Sequence, residues 1–172
     1  MKLNIFDPNL SDNYSFPVKF YKDINIINKV KIFGNIKIKN NIQKQLKVIP
    51  CFRTVINPRI EKNYQKKYFL RKEKFIFAVN KIYNLNGPIL IYNSNLCYID
   101  GIVEWVNKSK YNYNVYIEFP TLLNRVGNNK NLKFEKERCN LIKSKIRKKK
   151  NIFFIYHFEK SKNRLKKLFN CK

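Results

Sequence analysis

The sequence predicts an α+β fold: a small antiparallel sheet, open or closed into a five-stranded barrel, carrying basic helices and extensions. Three observations predict it. Tyr111, Tyr113, Val115, Ile117 and Phe119 alternate with Asn112, Asn114, Tyr116 and Glu118, the period of a half-buried strand. Residues 85–121 are nearly neutral, with 2 basic and 3 acidic side chains, whereas 1–84 carry 18 and 5 and 122–172 carry 17 and 3. The stretch Leu132–Lys150 has helix-forming composition with a narrow apolar stripe of Phe134, Leu141, Ile142 and Ile146. A low-charge kernel between two basic arms is therefore expected.

Taken in order, residues 1–28 read as loop, because Asp7-Pro8-Asn9 and Ser11-Asp12-Asn13 are turn chemistry. Val30–Ile38 reads as a hairpin. A three-residue loop of Phe33-Gly34-Asn35 sets Ile32 opposite Ile36 and Val30 opposite Ile38, giving one apolar and one lysine face. Pro50 and Pro58 interrupt the next region, and Glu61–Lys74 has the character of a basic helix bearing Tyr64, Tyr68 and Phe69. Phe75–Val79 is expected as a strand. Gly87-Pro88 opens a strand over Ile89–Tyr92, Asn93-Ser94-Asn95 turns it, and a second strand runs from Leu96 to about Val106. Ile152–Phe158 reads as a buried strand, and Lys160–Phe169 as a short basic tail anchored by Leu165, Leu168 and Phe169. The division expected is a basic N-terminal region with a hairpin (1–84), followed by a β-meander core with a basic helix, strand and tail (85–172).

The functional signal is charge. With 37 Lys and Arg against 11 Asp and Glu, the formal net charge is +26, and self-repulsion on that scale favours a polyanionic partner. Lys, Asn, Ile, Phe and Tyr dominate, and all have codons rich in A and U, so coding bias contributes. It does not account for the scarcity of Asp and Glu. Phosphate neutralisation by lysine releases condensed counterions. The interspersed Tyr64, Tyr68, Phe69, Tyr111 and Tyr113 offer faces on which unpaired bases stack, which points to folded RNA rather than duplex DNA; for Tyr111 and Tyr113 core packing is the stronger expectation. The RNA-contacting residues expected are Lys143, Lys145, Arg147, Lys148, Lys149 and Lys150, then Lys160, Lys162, Arg164, Lys166 and Lys167, with Lys108 and Lys110 in the turn before the alternating strand.

Other chemistries have little support. Cys51, Cys97, Cys139 and Cys171 form no close pair, so neither zinc nor any other metal or cofactor is expected. Cys139 and His157 are the sole conceivable Cys/His couple and lack an orienting third group. Gly34, Gly87, Gly101 and Gly127 are isolated, so no phosphate loop forms. Asp100 and Glu104, four apart on an expected strand, with Glu118 on its neighbour, leave a magnesium-dependent nuclease as one alternative and an architectural DNA-binding protein as another. No apolar run is long enough to span a bilayer. The N-terminus resembles neither a signal nor a transit peptide.

With the residues set out, the second half resembles ribosomal protein seventeen of the small subunit, an OB-like barrel. Ile99-Asp100-Gly101-Ile102-Val103, Lys108-Ser109-Lys110 and Val115-Tyr116-Ile117-Glu118 follow that family's first strand, lysine turn and second strand. Ile152-Phe153-Phe154-Ile155 and Ser161-Lys162-Asn163-Arg164 follow its late strand and Ser-Lys segment. The family's His-Asp pair is replaced by Glu135-Lys136-Glu137. The resemblance implies binding of ribosomal RNA through Lys108, Lys110, Lys162 and Arg164. The composition is similar to that of organelle-encoded ribosomal proteins. The expectation is a non-catalytic structural protein of an organellar ribosome, in the mitochondrial matrix or another AT-rich organelle. Its partners would be ribosomal RNA and neighbouring ribosomal proteins, without a membrane or a small-molecule substrate.

Overall fold

In the computed structural model, residues 2–10, 21–23, 29–38, 40–53, 61–92, 94–118, 131–146, 151–156 and 159–169 are described. Six short strands form one sheet: β1 (Leu3–Phe6), β2 (Val30–Asn35), β3 (Ile49–Phe52), β4 (Ile89–Ile91), β5 (Val115–Glu118) and β6 (Ile152–Ile155). Every pairing is parallel, and the order across the sheet is β3-β2-β1-β4-β5-β6. Among the described residues the helices α1 (Asn40–Leu46), α2 (Tyr64–Asn80), α3 (Leu96–Lys108), α4 (Leu132–Ile146) and α5 (Glu159–Phe169) accompany them.

This corrects the expected fold. The chain is α/β and Rossmann-like, with no antiparallel pair and no barrel among the described residues. Parallel strands need crossovers, and a strand covered on both faces reads as a continuous apolar run rather than an alternation. Ile89-Leu90-Ile91 is such a run, with all three residues buried. Phe6, Phe33, Ile89, Ile91, Val115, Ile117 and Ile152 point to one face, where they meet α2, α3, α4 and α5. Ile5, Ile32 and Leu90 point to the other, where Leu10, Tyr21, Ile38, Leu46 and Val48 close a smaller core.

Three segments depart from their expected form. Val30–Ile38 is no hairpin: Val30–Asn35 is one strand between β1 and β3. Gly34 serves close approach instead of a turn, since a Cβ there would stand 2.7 Å from Val48 Cγ1 and 3.3 Å from Leu10 Cδ2. Phe75–Val79 continues the helix begun at Tyr64, whose N-cap Asn63 accepts a 3.0 Å hydrogen bond from the Lys66 N–H. Leu96–Val106 is helix α3, not a strand. Its Ile99, Ile102, Val103 and Val106 are each 0% exposed, a spacing of three and four that places them on one helical face. The segment that resembles a barrel's opening strand, Ile99–Val103, is therefore helical. Leu141, expected in the α4 stripe, is 46% exposed, and Cys139 takes the buried position beside Ile142 and Ile146. Phe153 and Ile155 of the outer strand β6 are likewise part-exposed, at 42% and 37%.

Candidate ligand-binding site

The order β3-β2-β1-β4-β5-β6 reverses between β1 and β4: the chain works outward from β1 in one direction, then returns to build outward in the other. Connections leaving the carboxyl ends of these two strands therefore diverge, and the gap between them is where open α/β sheets hold ligands. The register fixes the rim. Phe6 pairs with Ile91, so Asp7 and Tyr92 emerge side by side, and the Tyr92 N–H donates to Phe6 O at 2.9 Å.

Asp7 is the centre of this edge. It is fully buried, yet its carboxylate is engaged: Oδ2 accepts from the Tyr21 hydroxyl at 2.7 Å and Oδ1 from the Asn9 N–H at 3.0 Å. Burial pushes its pKa up to about 7, with the nearby Glu118 charge adding to the rise and the two hydrogen bonds opposing it. Tyr21 is held well above the usual phenol range by burial and by Asp7. Asn35, at the end of β2, donates to Pro8 O at 3.0 Å and so pins the Asp7 loop from the other side. Ser94, between β4 and α3, donates from Oγ to Glu118 O at 2.6 Å, tying the entry of α3 to the end of β5. Tyr92 packs edge-on to Tyr21 with ring centroids 5.5 Å apart and stays part-exposed.

Helix α3 begins at this same edge. Its N-cap residue Asn95 is exposed and makes no side-chain capping bond, while its carbonyl accepts from the N–H groups of Tyr98 and Ile99 at 2.9 and 3.1 Å. The Tyr98 and Ile99 amides are thus satisfied within the helix, whose positive dipole end lies at this edge. The Tyr98 hydroxyl reaches back to Asn9 Oδ1 at 3.4 Å. The described residues form the floor of the crevice; 11–20, 93 and 119–130, which follow β1, β4 and β5, lie outside them.

Comparison with known proteins places few constraints on this geometry. No protein-family model matches the chain. No solved structure matches it either. The chain is 33% identical over 111 residues to an uncharacterized protein of Rickettsia prowazekii (strain Madrid E), across 62% of this chain and 19% of that protein. The chain thus spans about a fifth of that relative's length.

The described RNA contacts expected from sequence lie on α3, the loop after it, α4 and α5, and two of them, Lys108 and Lys145, meet at Glu104. Lys108 ends α3, where its Nζ lies 2.7 Å from Glu104 Oε1. Lys110 is exposed in the following loop. Lys143 and Lys145 lie in the last turn of α4, and Lys145 Nζ stands 3.9 Å from Asp100 Oδ1 and 3.7 Å from Glu104 Oε2. Arg147, Lys148, Lys149 and Lys150 lie outside the described residues. On α5, Lys162 pairs with Glu159 at 3.0 Å, Lys166 and Lys167 are exposed, and Lys160 and Arg164 belong to the same helix.

The three carboxylates proposed as a metal site are separated by role. Asp100 and Glu104 share a face of α3 turned to α2 and α4. Lys72 Nζ lies 3.2 Å from Asp100 Oδ2 and 2.6 Å from Glu104 Oε2. Arg138 donates to Asp100 Oδ2 through both Nε and a terminal nitrogen, and the Tyr68 hydroxyl donates to the same oxygen at 3.0 Å. These are helix-to-helix ion pairs. Glu118 stands instead at the crevice, at the end of β5. Among the described residues no group of three His, Cys, Asp or Glu is placed to hold a metal. Burial pushes the Cys97 thiol up to about 12 and Cys139 to about 11, which keeps both protonated at neutral pH. His157 lies outside the described residues.

Sequence reasoning missed Asp7, Ser94 and the α3 N-terminus. The available signal was Leu3–Phe6, apolar at all positions but Asn4 and followed by Asp-Pro-Asn, and the run Ile89–Tyr92, followed by Asn-Ser-Asn.

Proposed function

We propose that the crevice at the carboxyl ends of β1 and β4 binds a phosphorylated small molecule of the nucleotide class. The observation that carries the reading is the reversal of strand order at β1 and β4. The α3 N-terminus, without a side-chain cap, turns the positive end of its dipole toward a phosphate, and the +26 net charge draws anions toward the protein. Tyr92, braced by Tyr21, offers an aromatic wall to a planar base. Asp7 and Glu118 act beneath, positioning the loop and Tyr21 rather than touching the ligand. We propose binding without a catalytic step. Calorimetric titration and thermal shift with nucleoside phosphates and nucleotide sugars test it. A saturable rise in melting temperature is expected, weakened by Ser94→Ala, which removes the bond that ties the segment between β4 and α3 to the end of β5. Failure of every phosphorylated compound to bind would exclude the reading.

A second reading is favoured by the charge of +26 together with the exposed Lys110, Lys166 and Lys167: binding of structural RNA, as in an organellar ribosome. Sedimentation of a native lysate through sucrose gradients at low and moderate salt separates the two. Salt-resistant co-migration with a ribosomal subunit supports it, and absence from ribosomal fractions at low salt removes it.

A further inference from the structure

Away from the strand-end crevice, a groove of about 770 Å³ runs between the C-terminal half of α2 and the β2–β3 edge of the sheet. Its apolar surface comes from Phe33, Ile36, Ile49 and Ile82, with Phe77 and Tyr83 at the mouth. Phe77 is 60% exposed, Tyr83 88%, Ile49 44% and Ile36 38%, so four large apolar side chains face water at one place. Contiguous exposure of this kind marks an interaction surface. Among the described residues every charged side chain lining the groove is a cation: Lys31, Arg53, Lys74 and Lys81. Lys81 Nζ sits 4.1 Å above the Phe77 ring, so a charge stands directly beside the most protruding apolar group of the helix.

We propose that this groove docks the protein on an anionic membrane surface, with Phe77 and Tyr83 entering the headgroup–acyl boundary and the four cations meeting lipid phosphates. Two physical arguments select this occupant. Among the described residues the lining carries no carboxylate to repel an anionic surface, and its isoleucines suit hydrocarbon. Basic residues beside exposed aromatics combine the two weak signals that stable peripheral attachment requires. No described helix is long and apolar enough to cross a membrane, so the attachment is to one surface.

The test is flotation of the full chain with vesicles of phosphatidylcholine alone and of equal parts phosphatidylcholine and phosphatidylglycerol. Flotation with the anionic vesicles only is expected. The F77S/Y83S variant, both of whose changes fall on exposed positions, should bind about tenfold more weakly while keeping its circular dichroism and melting temperature. K74Q and K81Q should each weaken binding about fivefold. Equal flotation of wild type and F77S/Y83S would overturn the proposal, leaving only diffuse attraction by the net charge. So would absence of flotation with anionic vesicles. A loss in F77S/Y83S of single-stranded RNA binding, with vesicle binding unchanged, would assign the groove to nucleic acid instead.

Discussion

Asp7 carries its charge in a place that resists it. Its pKa of about 7 in the folded protein stands above the ordinary 3.8. Its stabilising contribution is therefore complete below about pH 3.8 and is lost as pH rises through about 7. Asp7→Asn should flatten the stability curve across that window, measured by urea unfolding at successive pH values; an unchanged slope would show that the ionised form is fully compensated. Glu104 behaves in the opposite sense. Hydrogen bonds from Lys108 and then Lys72 hold its carboxyl down to about 2, so its contribution is present above 4.5 and lost as pH falls through about 2. Asp100 is the most consequential carboxylate, since Lys72, Arg138 and Lys145 all converge on it. Asp100→Ala takes the carboxylate from Arg138, while Lys72 and Lys145 keep Glu104, and should cost about 3–5 kcal/mol in denaturant melts. The pairing at Asp100 was not legible beforehand, because the three helices involved, α2, α3 and α4, are far apart in sequence, whereas Glu104 and Lys108 are a local pair one turn apart.

At the scale of elements, packing around glycine decides two contacts. Gly34→Ala forces a methyl against Val48 and Leu10 and should destabilise the protein by about 1–3 kcal/mol in thermal or denaturant unfolding. Gly101 plays the same part on α3, where a Cβ would come within 2.9 Å of the Phe75 ring. Strand β4, most of α2 and the α5 anchors Leu165 and Phe169 were legible from apolar runs and spacing. Helix α3 was not. Its Ile, Val, Tyr and Trp content favours strands, and its buried first turns, Leu96 to Val103, hide the 3.6-residue period because nearly every side is covered. The readable clue was the exposed Asn95 before it, a preferred N-cap residue. The crevice escaped notice for a related reason: it is built by where strands end, and strand adjacency is not written in any local pattern.

For the whole molecule, the net charge of +26 opposes compaction. Melting temperature should rise as salt increases from about 0.01 to about 0.15 M, where the screening length contracts to about 8 Å. A fall instead would mean that the specific ion pairs around Asp100 outweigh the general repulsion. The alternation of Tyr111–Phe119 led to an antiparallel meander because only Val115–Glu118 is strand, and its neighbours are two parallel strands rather than hairpin partners. That parallel arrangement also bears on synthesis. Strand β1 lies in the middle of the sheet, and Asn4 must find Ile89, 85 positions later. At about 5–20 residues per second, β1 waits on the order of ten seconds on the ribosome before its second neighbour has been made. During that interval one long edge of a strand containing Ile5 and Phe6 stands open, so the nascent chain is most vulnerable to chaperone capture or mispairing before its own centre can close.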